Sequence, residues 1–231
     1  MKNIKQSIQN KIVLLSFSVA ACLLFFSCEK ENAGTPTIAQ FTYKLKTSGE
    51  STSISQPTTA GTLKWTSGYA SVKEIEFEAK KQGLEIEYKN EAKQKINLFS
   101  PLSLLGVIAV PDGTYEDIEF EVEVQPNGTD AALELKGSFT NGTGVITPVF
   151  LKLNASLEIE SKKSNFTVTN ATSRTVLTTL NLSLIPKGVT ESMFNNATRN
   201  NGTIEITATS NPAIYEIMLK NLKECGGVEI E

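Results

Sequence analysis

Ile118-Glu119-Phe120-Glu121-Val122-Glu123-Val124 is the stretch that decides the fold class. Apolar residues alternate with glutamates, the period-two pattern of a strand with one face in a core and one in water. Ile118, Phe120, Val122 and Val124 are assigned inward; Glu119, Glu121 and Glu123 are assigned outward. Upstream, Phe41, Tyr43 and Leu45 alternate with Thr42 and Lys44, and Leu63 and Trp65 flank Lys64. Ile75, Phe77 and Ala79 alternate with Glu74, Glu76 and Glu78, and Leu84, Ile86 and Tyr88 with Glu85 and Glu87. Lys80-Lys81-Gln82-Gly83 lies between these two, and its glycine suits a positive φ. The pair reads as a hairpin with an acidic outer face.

Downstream, Pro126-Asn127-Gly128 is expected to turn the chain into a strand through Leu133, Leu135 and Phe139. Asn141-Gly142 turns it again into 145–153, completing a three-strand meander. Further strands are expected near 156–160, 166–169, 176–185 and 203–208. Two pieces read as helical. The first is a single turn over 101–106. The second spans 212–225: Asn211 caps it, Pro212 opens it, and Gly226 and Gly227 stop it. Its apolar stripe is Ile214, Ile217, Met218 and Leu222. The fold class is therefore all-β, an antiparallel β-sandwich over 38–231 with a short C-terminal α-helix.

Composition excludes several functions. Histidine is absent, which removes Ser-His-Asp and Cys-His catalysis and every imidazole metal site. Asp112, Asp117 and Asp130 are the only aspartates, and Arg174 and Arg199 the only arginines. A net charge of −3 with no basic patch argues against nucleic-acid binding. No enzymatic activity and no cofactor are expected. Cys22, Cys28 and Cys225 offer no disulfide framework, and Cys225 reads as a free, packing thiol.

The first 27 residues read as an address. Lys2, Lys5 and Lys11 precede an apolar run over 12–26, shorter than the roughly 20 residues a spanning helix needs. Leu24-Phe25-Phe26-Ser27-Cys28 resembles a lipobox, with Phe25 where leucine is usual. Cleavage before Cys28 would remove three lysines and no acid, leaving a mature net charge of −6. Val19-Ala20-Ala21-Cys22 is a rival lipobox, but polar sequence begins directly after Cys28. Cys28 is thus the expected lipidation site, and residues 28–37 form a flexible tether. Glu29-Lys30-Glu31 resembles the export signal of Bacteroidota-type surface lipoproteins. That resemblance implies the outer face of the outer membrane, with the lipoprotein processing and export machinery as partners.

A second resemblance lies in the body. Ile96-Asn97-Leu98-Phe99-Ser100, then Val110-Pro111-Asp112-Gly113-Thr114-Tyr115, lead into the Ile118 strand. From Val72 to Val124 this resembles uncharacterised Bacteroidota lipoprotein domains, whose sandwiches are immunoglobulin- or transthyretin-like. The resemblance implies a fold and brings no catalytic residues. The implied function is a lipid-anchored, non-enzymatic surface module for binding or structure. A fimbrial or adhesin subunit is the alternative, although no arginine precedes Arg174 for the cleavage that fimbrillin-like maturation uses.

The remaining candidates have plain readings. Asp112, Glu116 and Asp117 beside Gly113 could hold Ca²⁺, but their spacing is not that of an EF-hand, and Asp112-Gly113 reads as turn chemistry. No metal site is expected. The glutamate rows read as solvated sheet surface rather than an acid–base pair. Trp65 reads as a half-buried strand aromatic rather than a sugar platform.

Overall fold

The longest strand, Gly61–Lys81, carries partners along both edges and joins the two halves of the larger sheet. The computed structural model describes residues 38–54, 61–169 and 173–231, all within the compact unit Thr35–Glu231. Cys28, the Glu29-Lys30-Glu31 signal and the tether lie outside the described residues.

In chain order the first strands are β1 (Ile38–Ser48), β2 (Ser51–Ile54), β3 (Gly61–Lys81), β4 (Leu84–Asn97) and β5 (Ser103–Pro111). Then come β6 (Gly113–Val124), β7 (Leu133–Thr140), β8 (Ile146–Leu153), β9 (Leu157–Val168) and β10 (Arg174–Asn181). A 3₁₀ turn over Leu182–Leu184 precedes α1 (Glu191–Asn195), β11 (Arg199–Asn200) and β12 (Thr203–Ile206). The chain finishes with α2 (Pro212–Leu222) and β13 (Gly226–Ile230). The described strands form a four-stranded sheet, β13-β10-β1-β5, and a nine-stranded sheet with β3 at its centre. Most pairings are antiparallel, but β1–β10 and β8–β12 are parallel.

The β3–β4 hairpin forms as its alternation dictates. Gln82 and Gly83 both take positive φ, as a tight two-residue loop requires. The expected β6–β7 hairpin does not form. Val72 pairs with Val124 and Ala70 with Leu133, so β6 and β7 lie end to end along one edge of β3. The Asn127–Asp130 turn belongs to the excursion between them. Ser71 pins that excursion: its N–H donates to Ala132 O, its hydroxyl to Ala131 O, and its carbonyl accepts from Gln125 N–H. A local turn signal reports a reversal but not which strand will cover the exposed edge, and here β3 covers it. The turn at Asn141 does form a hairpin, joining β7 to β8.

Three further expectations are corrected. Residues 101–106 are not helical, since β5 begins at Ser103 and its pairing to β1 supplies the hydrogen bonds. The two strands expected over 156–169 are one strand, β9, zipped along β6. The C-terminal helix stops at Leu222 rather than 225, and the chain ends on β13, paired to β10. Asn211 sits at the start of α2 but gives it no side-chain cap. Its amide bonds Thr198 N–H, Thr198 O and Glu205 O instead, fastening the helix start to β12.

The two sheets pack face to face through aromatic rings. Phe41 of β1 lies 5.7 Å from Phe77, 5.6 Å from Phe120 and 6.2 Å from Phe166, ring centre to ring centre. Tyr43 joins them at 6.1 Å from Phe120 and donates its hydroxyl to Glu76 O. α2 buries Ile214, Tyr215, Met218 and Leu222. Between β4 and the outer edge of β5, Asn90 donates to Val107 O and Gln94 to Leu104 O and Leu105 O. These amides satisfy carbonyls that an edge strand otherwise leaves open.

Candidate functional site

The outer face of β4-β3-β6-β9 gathers the glutamates that the alternation pointed outward. Register sets them against one another. Glu76 lies opposite Glu121, Glu78 opposite both Glu87 and Glu119, and Glu74 opposite both Glu91 and Glu123. On the next ladder Glu121 faces Glu160 and Glu123 faces Glu158. Like charges directly across a ladder destabilise a sheet. Four lysines offset part of this. Lys73 reaches Glu123 at 2.8 Å, Lys89 reaches Glu76 at 2.9 Å and Glu87 at 2.5 Å, Lys93 reaches Glu91 at 2.5 Å, and Lys162 reaches Glu119 at 3.0 Å.

The face is not the plain solvated surface the sequence suggested. Glu76 is only 4% exposed, and its Oε1 is buried with no hydrogen-bond partner. Burial, then the charges of Glu158, Glu76, Glu119 and Glu78, push the Glu121 carboxyl up to about 7. Glu78 is raised first by the Glu76 carboxyl beside it. Burial and a hydrogen bond to Glu160 raise Glu119, while Glu160 is lowered by the same bond. Glu78, Glu87, Asp117, Glu119, Lys162 and Ser164 contribute to the wall of an open groove of about 610 Å³.

One oxygen from each of Glu76, Glu78 and Glu87 lies within 4.8 Å of the other two, and Glu119, Glu121 and Glu160 form a similar group. No family model, curated protein or solved structure matches the chain.

The carboxylates singled out beside Gly113 do not converge into such a group among the described residues. Asp112 O accepts from Lys81 Nζ at 3.2 Å, Glu116 Oε1 from Gly83 N–H at 3.3 Å, and Asp117 Oδ1 from the Ser164 hydroxyl at 3.0 Å. β6 begins at Gly113, and Glu116 and Asp117 are both exposed strand residues that turn to different partners, Gly83 and Ser164. Trp65 is 1% exposed, inside the core and not a half-exposed ring. Cys225 is buried, donates to Leu222 O, and has its thiol pushed up to about 12 by burial, consistent with packing rather than reactivity. The signal for the acidic face was present as matching glutamate rows on strands that pair. Its significance depended on register and on how deeply the face is covered.

Glu121 gives a signed pH dependence. Its folded-state carboxyl titrates above the unfolded value, so the folded protein holds an extra proton between the two. The stability it contributes is present at acid pH and is lost as pH rises from about 4.3 towards 7. Glu121→Gln should flatten that slope in denaturant titrations. It should also raise stability near pH 8 by about 1 kcal/mol, after allowance for solvent screening. An unchanged slope would mean that Glu121 is ionised at no extra cost.

Proposed function

We propose that this chain is a lipid-anchored, surface-exposed, non-enzymatic lipoprotein whose binding surface is the acidic face of β4-β3-β6-β9. The observation that carries the reading is the set of glutamates opposed across the ladders, with only four lysines bonded among them in the described residues. Such a face costs the fold stability, and a positively charged ligand would relieve that cost. The address rests on Lys2, Lys5 and Lys11, the apolar run and Cys28 with the Glu29-Lys30-Glu31 signal.

An immunoglobulin- or transthyretin-like sandwich is part of the same proposal. Supporting it are the two packed sheets and the Tyr115 hydroxyl donating to Pro111 O, four residues upstream, as a tyrosine corner does. The amides of Asn90 and Gln94 closing the β5 edge speak against strand exchange at that edge, as a fimbrial subunit would need.

Intact-mass analysis of the membrane-bound protein should show a mature chain starting at an acylated Cys28, and Cys28→Ala should leave an unlipidated precursor. A chain starting at Cys22 or retaining Met1 would overturn the address. On detergent-solubilised full-length protein, an oligolysine peptide should bind with an affinity that falls as salt rises. The triple variant Glu78→Gln, Glu119→Gln, Glu121→Gln should lose that binding. Equal binding by the variant would remove the acidic face from the reading.

A further inference from the structure

We propose that Glu76, Glu78 and Glu87 form a binding site for a divalent cation of the calcium class, the first ligand of the acidic face; the inference rests on that face being the binding surface. β3 places Glu76 and Glu78 two residues apart on one side of the sheet, and register sets Glu87 of β4 directly across from Glu78. Their nearest oxygens lie within 4.8 Å of one another. Calcium binds carboxylate oxygens at about 2.3–2.6 Å, so two ligands on opposite sides of one ion stand about 4.8 Å apart. The spacing is therefore that of oxygens able to share one ion after small side-chain adjustments.

The independent observation is the state of Glu76. Its side chain is almost wholly withdrawn from water, yet Oε1 has no partner. A buried carboxylate oxygen with nothing to accept from is costly, and a cation supplies what it lacks. Lys89 satisfies only part of this need. It bonds Glu76 Oε2 and Glu87 Oε1, leaving three carboxylates to one ammonium. Lys89 is itself half-exposed, so it can swing out when a stronger cation arrives. Hard oxygen ligands without nitrogen or sulfur select calcium, magnesium or manganese. The adjustable geometry of side chains on neighbouring strands favours calcium, which tolerates irregular coordination, over magnesium, which does not. Open water in the groove would complete the shell.

The test is equilibrium dialysis of detergent-solubilised full-length protein against calcium chloride, with thermal melting read in parallel. Wild type should take up calcium with a dissociation constant of about 10⁻⁴–10⁻³ M, the range of extracellular modules, and melt higher with it. Glu76→Gln and the more exposed Glu78→Gln should each weaken uptake at least about tenfold, while Glu76→Gln melts higher than wild type without calcium. Lys89→Met should tighten uptake several-fold by removing the competing ammonium. Glu229→Gln, on β13 of the other sheet, should leave it unchanged. No uptake by wild type at about ten times that range, uptake unaltered in both glutamine variants, or uptake lost in Lys89→Met would overturn the site. If calcium fails while oligolysine still binds, this inference falls and the acidic-face reading stands. If both fail, both fall.

Discussion

Phe120→Ala should cost about 3–5 kcal/mol, among the largest losses any single substitution in this chain produces. The side chain is fully buried and sits at the meeting point of both sheets. Its ring lies 5.6 Å from Phe41, 6.1 Å from Tyr43, 5.3 Å from Phe77 and 6.4 Å from Phe166. Truncation forfeits the buried area and the edge-to-face contacts, and it leaves a cavity that rings held by three separate strands cannot close. Urea titration reads the loss directly, and the melting midpoint should fall by about 10 °C for a chain of this size. The neighbouring Glu121→Gln acts on the other face with the opposite sign above neutrality. If the two substitutions shifted stability alike, the inward and outward assignment of β6 would be wrong.

Gly137→Ala should cost about 3 kcal/mol or more through a different mechanism. Gly137 of β7 lies opposite Trp65, where the β3–β7 register slips past Thr66. A Cβ there would stand 2.1 Å from Lys64 O, 2.9 Å from Lys64 C and 2.9 Å from Trp65 Cα. All three are backbone atoms of the adjoining strand, so no side chain can move aside, and the ladder itself must open. Gly227→Ala is the matched comparison. It too is a strand glycine, but nothing lies within 4 Å of its added Cβ. That change should be neutral or stabilise by about 0.4–1 kcal/mol through the unfolded chain. Equal effects at the two positions in chemical denaturation would show that the β3–β7 approach is looser than described.

Period-two alternation carried most of the strand assignment, because the pleat alone determines which face a residue takes. It held for Ile75, Phe77, Ala79 and the Ile118 strand, all buried. It failed in part at β4, where Leu84 is 70% exposed, since the tip of a hairpin can outrun the sheet that would cover it. Connectivity was less legible. Two Asn-Gly turns look identical in sequence, yet Asn141 joins paired strands and Asn127 does not. What separates them is the long β3, which offers one continuous edge to β6 and β7 in succession. The C-terminal strand was hidden because Gly226-Gly227 resembles a helix stop and nothing more. Gly226 is also where Ile159 approaches within 2.5 Å of an added Cβ, a constraint visible only in three dimensions. For the acidic face, residue types were plain and cover was not. No local pattern says that Glu76 will be nearly sealed from water while Glu78, two residues on, is exposed.

The parallel pairing of β1 with β10 has a kinetic consequence. β1 is among the earliest strands to leave the ribosome, yet one of its edges waits for β10, and β10 in turn waits for β13. Contacts between Phe41 and Arg174, or between Val176 and Ile230, close very long loops, and topologies dominated by such contacts fold slowly. Through most of synthesis, Phe41 and Tyr43 therefore lie on an unfinished sheet. The nascent chain's exposure to aggregation is greatest at β1 and ends only once β10 and β13 have been made.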